Sequence, residues 1–275
     1  MCAPHVIASV HAMSAGRPRR ADDTAKPTGS QDADQRHIGV VPVTSLAMRR
    51  VVDLTHRLNP EFPLYPGVAA MRLDVVARVA SDGWYEAVLT IDEHTGTHVD
   101  APAHFAAGAA TIDRIPAEHL VAPLAIIGIV ERVAADPDAL VTVDDIVTWE
   151  RRHGRLPAGA FVALDSGWDR RAADPPAFLN ADTAGVMHYP GFHPDAAAFL
   201  VLERDIVGIG VDTLSLDAGP STDFPTHHTV LPAGKYGVEA LANLGELPPV
   251  GATIIVGGLT HVGGSGSPAR VLALL

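Results

Sequence analysis

The feature that most constrains the fold is a set of short, continuous apolar runs separated by segments with helical character. Three such runs are residues 123–130, 160–164 and 206–211. Runs of this length that are apolar throughout are typical of strands buried on both faces of a sheet. Strands that alternate with helices along a chain indicate an α/β fold. The sequence therefore predicts a single α/β domain with a mixed β-sheet.

The remaining elements follow from local signals. Residues 71–80 and 84–91 predict a β-hairpin, with Ser81-Asp82-Gly83 as its turn. Thr142 or Asp144 can cap a helix that Gly154 ends, and Pro194 can occupy the first position of another helix. Further strands are expected at residues 51–54, 252–258 and 271–274, and residues 170–193 are expected to form an irregular lid or interface loop.

Residues 1–50 differ from the rest of the chain. They lack an apolar period and the continuous apolar core of a secretory signal. We expect a disordered leader, or a start site placed too far upstream, followed by a folded domain over residues 51–275.

The composition limits the possible partners. The chain has 275 residues, a formal net charge of −12 from 20 basic and 32 acidic residues, and a single cysteine, Cys2. Nucleic acids and anionic membranes need a positive surface, so we expect neither as a partner. One cysteine forms no internal disulfide and no cysteine-rich zinc site, so any metal must rely on His and carboxylate ligands. No run of about twenty apolar residues is present, and we expect a cytoplasmic protein.

The densest group of chemically active residues lies in residues 94–104, where three histidines and one aspartate fall within eleven positions: His94, His98, Asp100 and His104. Imidazole nitrogen and carboxylate oxygen together suit zinc, manganese or iron, whereas calcium prefers oxygen alone. Gly96 and Pro102 interrupt the segment, so we do not expect a regular helix there. The sequence therefore predicts a transition-metal site on a loop after the strand that ends near Ile91.

Residues 94–105 read HTGTHVDAPAHF. This segment resembles the HxGTHxDxPxHF signature of the cyclase-like metal-dependent hydrolases, which include bacterial kynurenine formamidases and isatin hydrolases. The resemblance extends from about Val51 to the C-terminus and implies the cyclase-like swivelling β/α fold. It also implies that His94, His98 and Asp100 are metal ligands and that His104 is the catalytic acid/base. Judged from the residues alone, His104 could instead be a third nitrogen ligand.

A second pair of residues resembles the formamidases specifically. His227 and Glu239 are twelve residues apart (239 − 227 = 12), as are the His and Glu of a second metal site in those enzymes. The neighbouring His228 would replace His227 only if the register slipped by one residue. The resemblance implies two divalent metals per chain bridged by Asp100, with zinc expected and manganese as the alternative. Isatin hydrolases resemble the chain in the first motif but work with one metal.

The resemblance implies hydrolysis of a carbon–nitrogen amide bond in a small-molecule substrate, most like an arylformamidase acting on N-formylkynurenine. One alternative is the opening of a cyclic amide such as isatin, and another is a non-catalytic module that binds metal or ligand. Tyr65 falls where the formamidases commonly carry a Trp that packs against substrate, so we expect it to bind substrate. By analogy with the family, we expect a homodimer or homotetramer.

Overall fold

The predicted apolar runs form the centre of a large mixed sheet in the computed structural model of the chain, which describes residues 50–275. The expected leader, residues 1–50, lies outside the described residues except for Arg50, so its disorder stays a prediction. The strands are β1 Val51–Asp53, β2 Arg72–Ala77, β3 Glu86–Thr90, β4 His98–Asp100, β5 Val121–Gly128, β6 Leu140–Val141, β7 Phe161–Asp165, β8 Gly191–Phe192, β9 Gly208–Val211, β10 Tyr236–Glu239, β11 Ala252–Gly258 and β12 Gly266–Leu274.

Helices connect these strands. The α-helices are α1 Val79–Asp82, α2 Val130–Ala135, α3 Val143–His153, α4 Pro175–Leu179, α5 Pro194–Glu203 and α6 Pro225–Val230. Short 3-10 helices span Pro102–His104, Ile112–Arg114, Ala117–Leu120, Trp168–Arg171 and Leu244–Glu246. None of the helices within residues 50–275 has both the length and the apolar character needed to cross a lipid bilayer.

The main sheet has the strand order β1-β12-β11-β5-β7-β9-β10-β4, and β12 also pairs with β4. That last pairing joins the two ends of the order β12 to β4 and closes the sheet into a barrel. Strands β5, β7, β9 and β10 run parallel, and the other pairings in this sheet are antiparallel. The predicted α/β fold with a mixed sheet is confirmed, and its closure is the feature that the strand pattern did not indicate.

The two faces of the sheet carry separate hydrophobic cores. On β7, Phe161 and Ala163 belong to one buried cluster, whereas Val162 and Leu164 belong to the other. This alternation is the two-residue period of a strand, and it explains why the central runs are apolar throughout. The first cluster fills the barrel, and the second packs the helices against its outer face.

Several local predictions need refinement. The hairpin forms, but the helical turn α1 extends its connection before Gly83 ends it in the left-handed region (φ 83°). Thr142 caps α3 through a reciprocal capping box with Asp145, and Gly154 follows the last helical residue. The irregular segment contains α4 and β8, and the last strand is longer than residues 271–274. Such two-residue strands and short helices carry little periodicity, so sequence patterns do not reveal them.

Candidate metal centre

The pairing of two strands builds the floor of the site. His98 and Asp100 are two residues apart on β4, so their side chains lie on the same face of the strand. Strand β10 pairs antiparallel with β4 and places Glu239 opposite His98 and Gly237 opposite Asp100. A carboxylate from residue 239 therefore reaches ligands 139 to 141 residues earlier in the chain through direct strand pairing (239 − 100 = 139; 239 − 98 = 141).

His94 reaches the site from the loop that precedes β4. Gly96 turns this loop with a positive φ of 65°, and a Cβ there would lie 2.1 Å from the Leu58 side chain. The loop brings His94 Nδ1 to 2.7 Å from Asp100 Oδ1, and its other ring nitrogen lies 3.1 Å from the Ser265 hydroxyl. Gly96 is thus required both for its backbone conformation and for its lack of a side chain.

His98 is oriented so that one nitrogen faces the carboxylates. Its Nδ1–H donates to the Gly96 carbonyl at 2.8 Å, which leaves Nε2 3.4 Å from both Asp100 and Glu239. Burial acts to lower the pKa of His98, but hydrogen bonds and attraction to these two carboxylates outweigh it and raise the pKa to about 10. Without a metal, a protonated His98 therefore helps to neutralise the buried carboxylates.

His227 completes the cluster from helix α6. Its Nε2 lies 3.1 Å from Glu239 Oε1 and 3.4 Å from Asp100 Oδ2, whereas the adjacent His228 is exposed. Burial acts to lower the pKa of His227, but hydrogen bonds to the surrounding carboxylates raise it well above its usual value. The register of α6 thus brings His227, not His228, to the predicted ligands.

Asp217 positions His227 from behind. Its carboxylate accepts hydrogen bonds from the His227 ring Nδ1 at 2.6 Å and from the backbone N–H groups of His227 and Thr226 at 3.2 and 2.7 Å. A carboxylate in this position fixes the tautomer of a metal-binding histidine and raises its basicity. No local sequence pattern assigns Asp217 this role, because its contact with His227 depends on the path of the loop that precedes α6.

One atom indicates that this cluster suits a cation. Asp100 Oδ2 is buried and accepts no hydrogen bond among the described residues. Burial acts to raise the pKa of Asp100, but its close contacts with His227, His94 and His98 hold it well below the usual range. A buried, ionised carboxylate oxygen without a partner is costly, and a divalent cation would satisfy it. The donor set of imidazole and carboxylate fits zinc or manganese.

Within residues 50–275, possible ligand atoms fall into two groups of three that share Asp100. His98, Asp100 and Glu239 form one group, and His94, Asp100 and His104 form the other, with the ligand atoms in each within 4.8 Å of one another. The structure thus brings together every predicted ligand and places His98 as close to Glu239 as to Asp100. The individual ligand assignments stay predictions.

His104 lies at the edge of the cluster. Its ring stacks on His94 with the ring centroids 3.9 Å apart, and its centroid is 6.2 Å from that of His227. Partial burial lowers the pKa of His104 below its ordinary value. Neutral His104 can accept a proton near pH 7, but it is also close enough to His94 and Asp100 to share a metal with them. Both roles considered for His104 therefore remain compatible with its position.

A cavity of about 280 Å³ opens above the cluster. Its polar floor contains His94, His98, His104, His227 and Glu239, and its walls are largely apolar, formed by Pro63, Leu64, Tyr65, Val68, Phe105, Leu214 and Phe224. Tyr65 and Phe224 have ring centroids 6.2 Å apart, and burial raises the pKa of the Tyr65 hydroxyl. Tyr65 therefore lies where a substrate would contact it. Among the residues that the structure describes, none of those lining the cavity is Lys or Arg.

Comparisons with known proteins agree with this arrangement. The family model described as Cyclase matches residues 52–218. An isatin hydrolase from Roseibium aggregatum is 38% identical over 82% of this chain and 91% of its own length. A kynurenine formamidase from Salinibacter ruber is 27% identical over 81% of this chain and 96% of its own length. The solved structure of isatin hydrolase A from Ralstonia solanacearum has a TM-score of 0.78 and 42% identity over 82% of this chain and 92% of that chain.

Proposed function

Since the chain belongs to the cyclase family of metal-dependent hydrolases, we propose that it hydrolyses a cyclic amide such as isatin. The expectation from sequence was an arylformamidase acting on N-formylkynurenine, with isatin opening as the alternative. The comparisons favour that alternative, because the isatin hydrolase is 38% identical to this chain and the kynurenine formamidase 27%.

The observation that carries this proposal is the chemistry of the cavity walls. The aromatic rings of Tyr65, Phe105 and Phe224 offer flat apolar surfaces to a bicyclic ring. N-formylkynurenine carries an amino-acid carboxylate, which would need a cationic partner when it leaves water. No Lys or Arg is present among the described residues that line the cavity, so a neutral lactam is the better match.

We propose that His94, His98, Asp100, His227 and Glu239 hold two divalent metals per chain, zinc or alternatively manganese, with Asp100 shared. A metal bound there supplies a Lewis acid and makes water a stronger nucleophile near neutral pH. Asp100 lies 3.4 Å from His98 through one carboxylate oxygen and 3.4 Å from His227 through the other, which supports a carboxylate shared between two metals.

The count has its own test. Glu239→Gln keeps the size of the side chain but removes its charge, so it should lower the metal content from about two ions per chain towards one. Elemental analysis of both proteins measures this directly. A wild-type chain that saturates at one ion, with Glu239→Gln unchanged, would reject the two-metal proposal and would match the single metal expected of an isatin hydrolase.

The proposed reaction uses His104 twice. Neutral His104 accepts a proton as the water oxygen bonds to the lactam carbonyl carbon, which suits its lowered pKa. The carbon–nitrogen bond then breaks, and His104 returns the proton to the departing ring nitrogen. The product carries a free arylamine and a carboxylic acid, which loses its remaining proton to solvent to become a carboxylate, and His104 is again neutral.

A direct comparison of substrates tests the proposal. Purified chain loaded with zinc or manganese should hydrolyse isatin with a kcat/KM at least about 10-fold above that for N-formylkynurenine, because desolvating an unpaired carboxylate costs more than one factor of ten in binding. A preference for N-formylkynurenine would instead support an arylformamidase activity. Turnover of neither amide by metal-loaded protein would favour the non-catalytic binding module.

A further inference from the structure

Ser265 lies in the turn before β12 and contacts one histidine of the candidate metal centre. Its hydroxyl oxygen lies 3.1 Å from Nε2 of His94, a residue 171 positions earlier in the chain. The other ring nitrogen of that histidine, Nδ1, lies 2.7 Å from Asp100 Oδ1. The His94 ring is therefore held between a carboxylate of the metal centre and the Ser265 hydroxyl.

Glu93 determines the direction in which the Ser265 hydroxyl points. The hydroxyl oxygen lies 2.6 Å from Glu93 Oε2, and the same carboxylate oxygen accepts the Ser265 backbone N–H at 2.9 Å. The other carboxylate oxygen, Oε1, lies 2.5 Å from His261 Nε2. An ionised carboxylate accepts hydrogen bonds and donates none, so the hydroxyl proton of Ser265 must point to Glu93.

This direction determines which nitrogen of His94 carries the proton. A hydroxyl group has one proton to donate and two lone pairs with which to accept. Because the proton of Ser265 is directed at Glu93, its oxygen can only accept from His94, so Nε2 must carry the ring proton. The reverse assignment would place a lone pair of the Ser265 oxygen 2.6 Å from an anionic oxygen, which is repulsive. Nδ1 of the neutral ring is then left to face Asp100 with its lone pair.

The backbone of the turn fits closely around the His94 ring. The Ser265 carbonyl accepts a hydrogen bond from the Ala101 N–H at 2.9 Å, and Gly266 pairs with Asp100 across β12 and β4. A Cβ at Gly266 would lie 2.5 Å from Cε1 of His94, so a side chain there would displace the ring. Glycine at this position therefore allows Ser265 to reach Nε2.

We propose that Ser265 is a positioning residue for the metal centre, which fixes His94 with its proton on Nε2 and directs the Nδ1 lone pair at a metal. Nδ1 of the neutral ring and Asp100 Oδ1 are both electron-pair donors, and a cation bound by both would stabilise their 2.7 Å approach. Ser265 thus acts on His94 as Asp217 acts on His227, by orienting a ligand histidine and raising its basicity. This role rests on the proposed metal centre and holds whichever amide the chain hydrolyses.

Competition between the full chain and a chelator for zinc tests the proposal. Ser265→Ala removes the acceptor for the His94 Nε2–H and should lower the affinity for zinc about 10-fold. Ser265→Thr keeps a hydroxyl and should restore most of that loss. The matched control is Ser267→Ala, because this hydroxyl bonds the backbone of Leu259 and Pro268, so its loss should lower Tm and leave the affinity for zinc unchanged. Equal affinity in Ser265→Ala and the wild type would overturn the proposal.

NMR of histidine labelled with a magnetic nitrogen isotope gives a second readout, which uses the unaltered chain in case the variants do not fold. In the zinc-loaded wild type, His94 should carry its proton on Nε2, and that proton should exchange slowly with water because Ser265 binds it. A ring protonated on Nδ1 would overturn the proposal, and so would unchanged exchange of the Nε2 proton in folded Ser265→Ala.

Neither measurement needs a substrate, so each separates this proposal from the choice of reaction. A chain that binds zinc as described but does not hydrolyse isatin would contradict the proposed reaction and leave the role of Ser265 intact. A chain that binds no zinc would overturn the metal centre and the role of Ser265 together.

Discussion

Asp217 is the residue whose importance is clearest from geometry and least evident from sequence. It is buried, it contacts the ring of His227 at 2.6 Å, and it also holds the first turn of α6 through two backbone N–H groups. It therefore sets both the direction and the tautomer of His227, although it touches no substrate.

Asp217→Asn should lower the affinity for metal about 10- to 100-fold, because the amide removes the negative charge behind His227 and loses one acceptor. Competition with a chelator measures this affinity, and Asp223→Asn, an exposed carboxylate in the same loop, is the control. Equal metal affinity in Asp217→Asn and the wild type would mean that Asp217 stabilises the start of α6 and contributes nothing to metal binding by His227.

His104 separates catalysis from binding. His104→Ala should keep near-normal metal content and substrate affinity, while kcat falls by about 100-fold or more, because the leaving nitrogen loses its proton donor. Metal analysis and steady-state kinetics on the same sample measure both quantities. Loss of metal in parallel with activity would make His104 a ligand, in keeping with its stacking on His94.

At the scale of elements, the sequence predicted the parts whose signals are local. Apolar runs located β5, β7, β9 and β11, and cap residues located both ends of α3. It did not predict that β12 pairs with β11 along one side and with β1 and β4 along the other. Pairings between distant strands leave no period in the sequence, so closure of the barrel had to come from the structure.

In the site, too, local signals could be predicted from sequence and distant pairings could not. The spacing of His94, His98 and Asp100 within one segment predicted the cluster, and their proximity in space follows from β4 and its preceding loop. Alone, Glu239 reads as an exposed carboxylate on a helix, yet it is buried on β10 opposite His98. Only its family spacing from His227 singled it out, because burial on a strand depends on the partners of that strand.

The ends of the parallel strands contain a buried carboxyl group that responds to pH. Asp212 follows β9, and its carboxylate accepts hydrogen bonds from the Ser166 and Trp168 backbone N–H groups, both at 3.0 Å, and from the Ser166 hydroxyl. Burial raises the pKa of Asp212 to about 7, and the negative charges of Asp165 and Asp169 add to this shift. The folded chain therefore holds this proton more tightly than the unfolded chain, whose Asp pKa is about 3.9.

Folding stability due to Asp212 should fall as pH rises from about 4 to about 7 and change little above that, because the unfolded chain binds fewer protons throughout this window. Asp212→Asn keeps one acceptor oxygen for the backbone N–H groups of Ser166 and Trp168, and its amide can donate to the Ser166 hydroxyl, without the titration. The Tm of the variant minus the Tm of the wild type should therefore be larger at pH 8 than at pH 5. A difference that is the same at both pH values would contradict the assignment.

At the scale of the whole molecule, the fold described over residues 50–275 contains the complete candidate site. The sequence before it lacks the apolar period that packing against this domain would need. Deleting residues 1–45 should therefore leave Tm and isatin turnover nearly unchanged. Calorimetry and kinetics on the shortened chain check this, and a loss of folding or of activity would show that the segment docks on the domain.

The central claim is that this chain opens a cyclic amide with the help of a divalent metal. The most direct test is isatin hydrolysis by one preparation, measured after removal of metal with a chelator and again during stepwise addition of zinc or manganese. We expect no turnover in the stripped protein and activity that rises in proportion to bound metal until the site is saturated. Equal turnover with and without metal, or no turnover of isatin at saturation, would contradict the account.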